Sequence, residues 1–457
     1  MNGTETAREW AESQFMGCQL GDWRRTERLV KIATAMMEAP GVSIPQQMKS
    51  TAGTKAAYRF LSDEGYQYED LIAPHWAETR RMAGRERVVL MVHDLTTIDY
   101  SPYSEHIRGL GPVGDNHGQG FQTISVLSVV PGERRILGLA YQKPFFREAH
   151  DSGESRTERS KRAKESDVWK QAVEAIGPSP EGSLWVHVGD RGGDIYSFFE
   201  ASQQAQSEFL VRVCQDRKMY DEQGEVNYLI SFARQLAGLE ERELDLPAKA
   251  GQAARTALLQ IAFAPLTLSA GWMNRKSPPI EAWVVRVWEI STPPPGIDPI
   301  EWVLLTTVPT ENLEQAWERV EWYRCRWLIE EFHMCLKTGC RIEFRRLEEA
   351  SSLLRLLAIL SPLAVQLLTL KVHARLHPDL PASTLFPIDL IRLVAHLSGR
   401  SDTDLSLHDF WRLVAMQGGF LGRKRDGQPG WQSLWHGWLF IQTLLRGARL
   451  NFIPAPF

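Results

Sequence analysis

Cysteine is scarce in this 457-residue chain. The five residues, Cys18, Cys214, Cys325, Cys335 and Cys340, are odd in number and irregularly spaced. That pattern speaks against a disulfide framework and predicts a reducing, cytosolic setting. Long apolar runs are lacking too. The most apolar stretch, Leu356 to Leu370, is broken by Ser361, Pro362, Gln366 and Thr369. It falls short of the ~20 residues that span a bilayer, so a buried helix and no membrane partner are expected. Residues 1–20 are polar and acidic and carry no apolar core of a signal peptide. Positive charge is not in surplus: the formal net charge is -4. Any surface for nucleic acid must therefore be local. No internal repeat or low-complexity tract is visible. The length allows roughly two to four globular domains.

What is present changes in character along the chain. Residues 1–80 read as helical, with apolar positions at helical spacing in Ala7–Phe15, Leu29–Met37 and Thr54–Leu61. Between Gly21 and Phe60 stand seven basic residues, Arg24, Arg25, Arg28, Lys31, Lys49, Lys55 and Arg59, against Asp22, Glu27 and Glu38. A solvated helix face explains that surplus as readily as a binding surface does. From residue 87 the pattern turns to strands: Arg87–Val92, Thr123–Val130, Arg135–Ala140, Leu184–Val188 and Phe209–Val213. Helices are expected at Asp167–Ile176 and Ile195–Gln206. Strands first, then strand and helix in alternation, predict a mixed α/β sheet. Residues 216–300 hold short alternating runs with Gly and Pro clusters and read as a β-rich insertion. Glu311–Gly339 reads as one long amphipathic helix, capped by Thr310. The remainder, to about residue 447, reads as helical.

Three acidic residues stand out by position. Asp94 follows the first apolar strand, in Val92-His93-Asp94-Leu95. Asp190 follows the Leu184–Val188 strand, in Gly189-Asp190-Arg191-Gly192-Gly193-Asp194. Carboxylates at the ends of neighbouring buried strands can meet on one rim of a sheet and hold divalent cations, which take hard oxygen ligands. A cation pair there suits in-line phosphoryl displacement. Each aspartate by itself is an ordinary turn residue or helix cap. The third is Glu330. On an unbroken helix at ~100° per residue, Tyr323, Arg326, Glu330 and Lys337 share one stripe. Cys325, Leu328, Ile329, Phe332 and Leu336 form the opposite, core-facing side. A glutamate bordered by Tyr, Arg and Lys suits a site that grips phosphates beside a metal.

Tyr323-x-x-Arg326-x-x-x-Glu330-x-x-x-x-x-x-Lys337 resembles the YREK signature of DDE transposases of the insertion-sequence-four group, which includes the transposon-five transposase. Further similarity lies in Gly21–Leu29, in Ala57-Tyr58-Arg59-Phe60, in Asp190-Arg191-x-x-Asp194-Ile195, and in a C-terminal series from Gly418 through Lys424 to Trp438. Trp23 departs from it, standing where the relative has proline. The resemblance implies an RNase H-like mixed-sheet catalytic core (81–215 and 301–347) interrupted by the β-rich insertion (216–300). An all-helical N-terminal DNA-end-binding domain (1–80) and a helical C-terminal dimerisation domain (348–457) would flank it. Asp94, Asp190 and Glu330 would bind Mg²⁺, with Mn²⁺ able to substitute. Tyr323, Arg326 and Lys337 would hold DNA phosphates, and Trp302 would stack on a flipped base. Arg24, Arg25, Arg28 and Arg59 become candidate contacts to the transposon end. The implied partners are end and target DNA and a second copy of the chain, with no small-molecule substrate. The implied location is the bacterial cytoplasm, at the nucleoid during action. The implied reaction is cut-and-paste transposition through a hairpin. A catalytically silent DNA-binding relative and a non-transposing nuclease are the alternatives.

Other signals carry less. Cys325, Cys335, Cys340 and His333 are poorly placed for a tetrahedral zinc site. Gly109–Gly114 and Asp115–Gly120 lack the helix and Lys-Ser/Thr pair of a phosphate loop. Arg423-Lys424-Arg425 reads as a solvated loop. His117 and His187 have no evident partner in the sequence.

Overall fold

The structure, a computed structural model, describes residues 6–115, 117–147, 165–246, 254–270, 277–400, 404–423 and 426–449. Lys424 and Arg425 lie outside the described residues. The first half of the chain forms α1 (Ala7–Phe15), α2 (Trp23–Glu38), α3 (Ile44–Met48), α4 (Thr51–Leu61) and α5 (Tyr68–Ala83). These are followed by β1 (Val88–Asp99), β2 (Gly111–Val113), β3 (Gly118–Val130), β4 (Arg135–Phe145), α6 (Asp167–Ile176), β5 (Leu184–Gly189), α7 (Tyr196–Gln204) and β6 (Glu208–Arg212). Next come β7 (Lys218–Tyr220), β8 (Val226–Tyr228), α8 (Leu229–Gln235), β9 (Glu240–Leu246), β10 (Arg255–Leu268), β11 (Ile280–Glu289) and β12 (Glu301–Thr306). The chain continues as α9 (Leu313–Arg324), α10 (Trp327–Met334), α11 (Ala350–Leu376), α12 (Ile388–Leu397), α13 (Leu407–Gln417) and α14 (Trp431–Arg449). The chain divides into two compact units.

One unit comprises Glu78–Thr96 and Gln122–Glu330. Its sheet runs β3-β1-β5-β6-β12-β11-β10-β7-β8, with β4 beside β3 and β9 beside β10. β5 is parallel to both β1 and β6; β3–β4 and β6–β12–β11–β10 are antiparallel pairings. The order β4-β3-β1-β5-β6, with β5 and β6 reached through α6 and α7, is the strand order of an RNase H-like core. The insertion supplies β7 to β11, so the expected β-rich character holds, with one helix, α8, included. The parallel strands read as continuous apolar runs because both faces are covered. Val89, Leu90, Met91 and Val92 of β1 are all buried. Beneath them Trp169, Phe198, Phe199 and Phe209 form an aromatic cluster, the last two stacked with ring centroids 4.5 Å apart.

The other unit comprises Met1–Ala77, Thr97–Phe121 and Glu331–Phe457. Its N-terminal helices are started by local caps. Thr6 and Glu9 form a capping box on α1, the Asp22 carboxylate accepts from the Arg24 N–H on α2, and the Ser50 hydroxyl accepts from the Gly53 N–H on α4. The apolar run Leu356–Leu370 is the middle of α11. That helix extends to 27 residues, long and apolar enough to cross a membrane, but 78% of its most apolar window is buried inside the protein. In α13 and α14 two glycines permit a close crossing. A Cβ at Gly437 would lie 1.7 Å from the Val414 carbonyl oxygen, and one at Gly418 would lie 1.9 Å from that of Ser433.

The structure corrects the sequence expectations in four places. Asp94 does not follow β1 but lies within it, since the strand continues to Asp99. Glu311–Gly339 is not one helix. It breaks between α9 and α10, where the N–H groups of Cys325 and Arg326 reach only the carbonyls of Trp322 and Tyr323, and it ends in a π turn, Cys335–Gly339. Tight and wide turns shift the phase of the side chains, so one ideal wheel does not describe the segment. The cap is Asn312, whose side chain accepts from the Gln315 N–H at 3.0 Å. Thr310 is buried, and its hydroxyl donates to the Val308 carbonyl instead. His187, for which the sequence suggested no partner, is paired with His93, ring nitrogens 2.8 Å apart in the core.

Candidate active site

Strand pairing places two of the three carboxylates singled out in the sequence. The parallel register of β1 and β5 runs from Val88 opposite Leu184 to Val92 opposite Val188. Asp94 follows Val92 by two residues within β1, and Asp190 follows Val188 by two, just past the end of β5. Asp190 lies just past the carboxyl end of β5, the side on which α/β sheets place ligands, whereas Asp94 lies within β1. The Asp190 carboxylate accepts from the Gly192 N–H at 2.8 Å and so caps the short turn Arg191–Gly193. Four residues on, Asp194 is buried. It accepts from the backbone N–H groups of Cys214 and Gln215 at 2.8 Å and pairs with Arg217 at 2.9 Å. This carboxylate fixes the turn after β5 to the exit of β6.

The third carboxylate is held differently. Arg326, in the break between α9 and α10, donates to Glu330 at 2.5 Å. Burial works against the charge of Arg326, but the hydrogen bond and charge of Glu330 outweigh it, and Tyr323 and Asp94 add to the effect; its pKa rises. Tyr323 is buried, contrary to a purely solvent-facing stripe. Burial pushes its phenol pKa up, with Asp190 adding to the rise and Arg326 and Arg212 pulling down. Charge interactions thus link the helix break to both strand ends. Trp302 on β12 packs edge-to-face on Tyr323, ring centroids 5.5 Å apart. Of the expected core-facing residues, Cys325, Leu328, Ile329, Phe332 and Leu336 are all buried.

Arg212 was not singled out in the sequence. It ends β6, donates to the Glu301 carbonyl at 3.0 Å and lies in the field of Tyr323, Arg191 and Arg326. Burial lowers its pKa first, and the neighbouring guanidinium groups add to that. Its position one strand over from Asp190 was the only available signal. The arrangement gathers positive groups around a buried phenol and two carboxylates, which suits a phosphate. Three carboxylates are also a chemically apt donor set for Mg²⁺. Their geometry is less complete: among the described residues, no three His, Cys, Asp or Glu side chains form a group that could hold a metal ion. Glu330 is engaged by Arg326.

Lys337 belongs to the other unit. It sits in the π turn, with its amine 3.5 Å from Glu343. In the N-terminal helices Arg24, Arg28 and Arg59 are exposed. Arg25 is used internally: it donates to the Leu20 carbonyl, pairs with Asp63 at 3.1 Å and lies over the Tyr66 ring. Trp23 takes the first position of α2, directly after its Asp22 cap, and is 70% exposed.

Residues 7–66 match the family model described as Transposase DNA-binding. Residues 363–453 match that of the Transposase Tn5 dimerisation domain. The two matches support a Tn5-like DNA transposase. The first match covers α1 to α4 with Arg24, Arg28 and Arg59; the second covers the C-terminal half of α11 and all of α12, α13 and α14. A solved structure described as a cryo-EM structure of a piggyBac transposase synaptic complex with hairpin DNA aligns at 8% identity. It covers 99% of this chain and 86% of that chain, with a TM-score of 0.40; at that level it adds no support.

Proposed function

We propose that this chain is a cut-and-paste transposase that cleaves and joins DNA ends by phosphoryl transfer at Asp94, Asp190 and Glu330. What supports this best is the parallel pairing of β1 and β5, two residues before Asp94 and Asp190, together with a helix break whose Arg326 bonds Glu330 and feels Asp94. Asp94, Asp190 and Glu330 would hold Mg²⁺, or Mn²⁺ in its place. A bound cation pair would activate the attacking oxygen and offset charge on the leaving one. The chain's own groups position the phosphodiester. Tyr323, Arg326 and Arg212 bind its oxygens in a partly buried setting, where charge-assisted hydrogen bonds are strong. Lys337 adds a further phosphate contact, which requires it to exchange Glu343 for DNA. Trp302 offers a π face to a base turned out of the stack, which relieves a tight hairpin. Arg24, Arg28 and Arg59, with Arg25 as their internal brace, dock the inverted-repeat end. A homodimer formed through residues 363–453 would hold two ends in the cytoplasm at the nucleoid. Every step is the same in-line transfer, so one set of residues serves cleavage, hairpin opening and joining.

A second reading, a catalytically silent DNA-binding relative, draws on the engagement of Glu330 by Arg326. One experiment separates the readings. The full chain is mixed with duplex carrying the inverted repeat that flanks its gene and with target DNA, with and without Mg²⁺, and products are resolved under denaturing conditions. Mg²⁺-dependent hairpins and joined products are expected. A gel shift with no cleavage at any Mg²⁺ or Mn²⁺ concentration supports the silent relative, and cleavage without joining supports a nuclease.

A further inference from the structure

Two arginines of the helical unit are buried without a carboxylate. Arg345 is 5% exposed and Arg355 2% exposed, and among the described residues neither forms an ion pair. Arg345 donates to the carbonyls of Pro40 and Val42, in the turn between α2 and α3, and to the carbonyl of Cys340, directly after the π turn. Arg355, on α11, donates to the Leu61 carbonyl at 3.1 Å and the Tyr66 carbonyl at 2.9 Å, just beyond α4. Burial pulls the pKa of Arg345 down to about 10, still far enough above neutral for the group to be charged. A buried guanidinium of this kind persists only if its N–H groups are satisfied, and here backbone carbonyls from two distant segments satisfy them.

The two arginines grip both ends of the α3–α4 hairpin. That hairpin carries exposed Lys55 and Arg59 inside the region matching the DNA-binding model. A third feature joins the same place. Gly41 is so closely packed that a Cβ there would meet the Leu439 side chain at 2.7 Å and the Gly339 carbonyl at 3.2 Å. Gly339 closes the π turn that holds Lys337, and Leu439 lies on α14 in the region matching the dimerisation model. The turn at residues 40–42 is therefore packed between the Lys337 segment and a helix of the dimerisation region.

We propose that Arg345 is a positioning residue that transmits end-DNA binding at α4 to the Lys337 segment, while Arg355 anchors the far end of the same hairpin to α11. This rests on the reading of α4 as part of the DNA-end contact. DNA that orders the hairpin orders the 40–42 turn, and the shared guanidinium passes that order to residues 335–345. The two segments then behave as one element when DNA is bound. Lysine cannot reproduce the link, because its compact ammonium lacks the planar fork that reaches several carbonyls at once.

Hydrogen exchange on the full-length protein tests this, with and without inverted-repeat duplex. In the unmodified chain, DNA is expected to slow exchange at least 10-fold in α4 and also in residues 335–345. Arg345→Lys is expected to keep the slowing in α4 but reduce it to under 2-fold in 335–345. Lys337→Gln, which removes the direct phosphate contact, is expected to keep both. Slowing confined to α4 in the unmodified chain overturns the proposal, as does full slowing of 335–345 in Arg345→Lys. Loss of the 335–345 effect in Lys337→Gln also overturns it, because the signal would then be direct contact. Should Arg345→Lys not fold, the unmodified chain and Lys337→Gln still decide. Absence of any specific end binding would instead sink the reading of α4 on which this rests.

Discussion

At the scale of single residues, the core of the sheet unit carries an acid-sensitive pair. His93 and His187 are fully buried against Trp169 and Phe198. Burial pushes His187 down to about 3 and His93 well below its ordinary value, with the charge of His187 adding to the latter. The folded state thus binds protons more weakly than the unfolded chain, whose imidazoles titrate near 6.5. The stabilisation from neutral His187 is complete above about pH 6.5. It is lost as pH falls toward 3, by roughly 1.4 kcal/mol per unit once the unfolded group is protonated. Urea unfolding at pH 7.5 and 5.0 is expected to show a lower midpoint at pH 5.0, and His187→Gln to flatten that difference. An unchanged pH dependence in the variant would assign the effect elsewhere. Two further residue-scale outcomes belong to the proposed chemistry. Glu330→Gln is expected to abolish cutting, at least 10³-fold, while end binding by gel shift stays within about 3-fold, since one ligand oxygen loses its charge and little volume changes. Trp302→Ala is expected to lower hairpin yield by about 10-fold or more with first-strand nicking retained, the loss of one base–aromatic stack. Normal hairpin yield would remove that role from Trp302.

At the scale of elements, the break between α9 and α10 matters most. An unbroken helix would carry Tyr323, Arg326 and Glu330 on a regular stripe, whereas the tight turn at Cys325 and Arg326 buries Tyr323 against Trp302 and leaves Arg326 bonded to Glu330. The sequence does not announce the break, because no proline or glycine marks it; the apolar periodicity continues across. The α13–α14 crossing is an element-scale device with a sharp test. At Gly437 the obstacle to a Cβ is backbone, the Val414 carbonyl at 1.7 Å, and backbone cannot rotate aside. Gly437→Ala should therefore destabilise the helical unit by about 2–3 kcal/mol or more. At Gly447 on the same helix nothing lies within 4 Å, so Gly447→Ala should be neutral or stabilising by up to ~1 kcal/mol. Thermal melts of the two variants check this; equal melting temperatures would mean that the helices do not cross at Gly437.

At the scale of the whole molecule, a chain of net charge -4 binds DNA only through local positive surface. The helices of the region matching the DNA-binding model present Arg24, Arg28, Lys55 and Arg59 to solvent. If each neutralises one phosphate, the logarithm of end affinity should fall against that of salt with a slope of about −3 to −4 per end, a loss on the order of 10²-fold between 50 and 200 mM. Fluorescence anisotropy on a labelled end measures it. A slope near zero would show that these residues do not face phosphates. Raising chain concentration should favour complexes holding two ends, as expected of the region that matches a dimerisation model.

Much of this protein was readable without its structure. Residues 7–15 and 167–176 were delimited to the residue, because burial on one face of a helix writes a local period into the sequence. The apolar runs of β1 and β5 were also plain, although β1 continues past Asp94 to Asp99, and both aspartates could be named from chain position. Folding alone decided what those residues meet. That the strand leading to Asp94 pairs in parallel with the strand leading to Asp190 depends on a register between segments 96 residues apart (Val92 opposite Val188). That Arg25 braces Asp63, Arg212 approaches Tyr323 and Arg345 clasps the 40–42 turn depends on which distant backbones pack together. A sequence window records a residue's own preference for helix, strand or burial. The identity of its neighbour across the core is a property of the packed chain, since side-chain charge and hydrogen-bonding capacity are matched only after hydrophobic burial has chosen the partners.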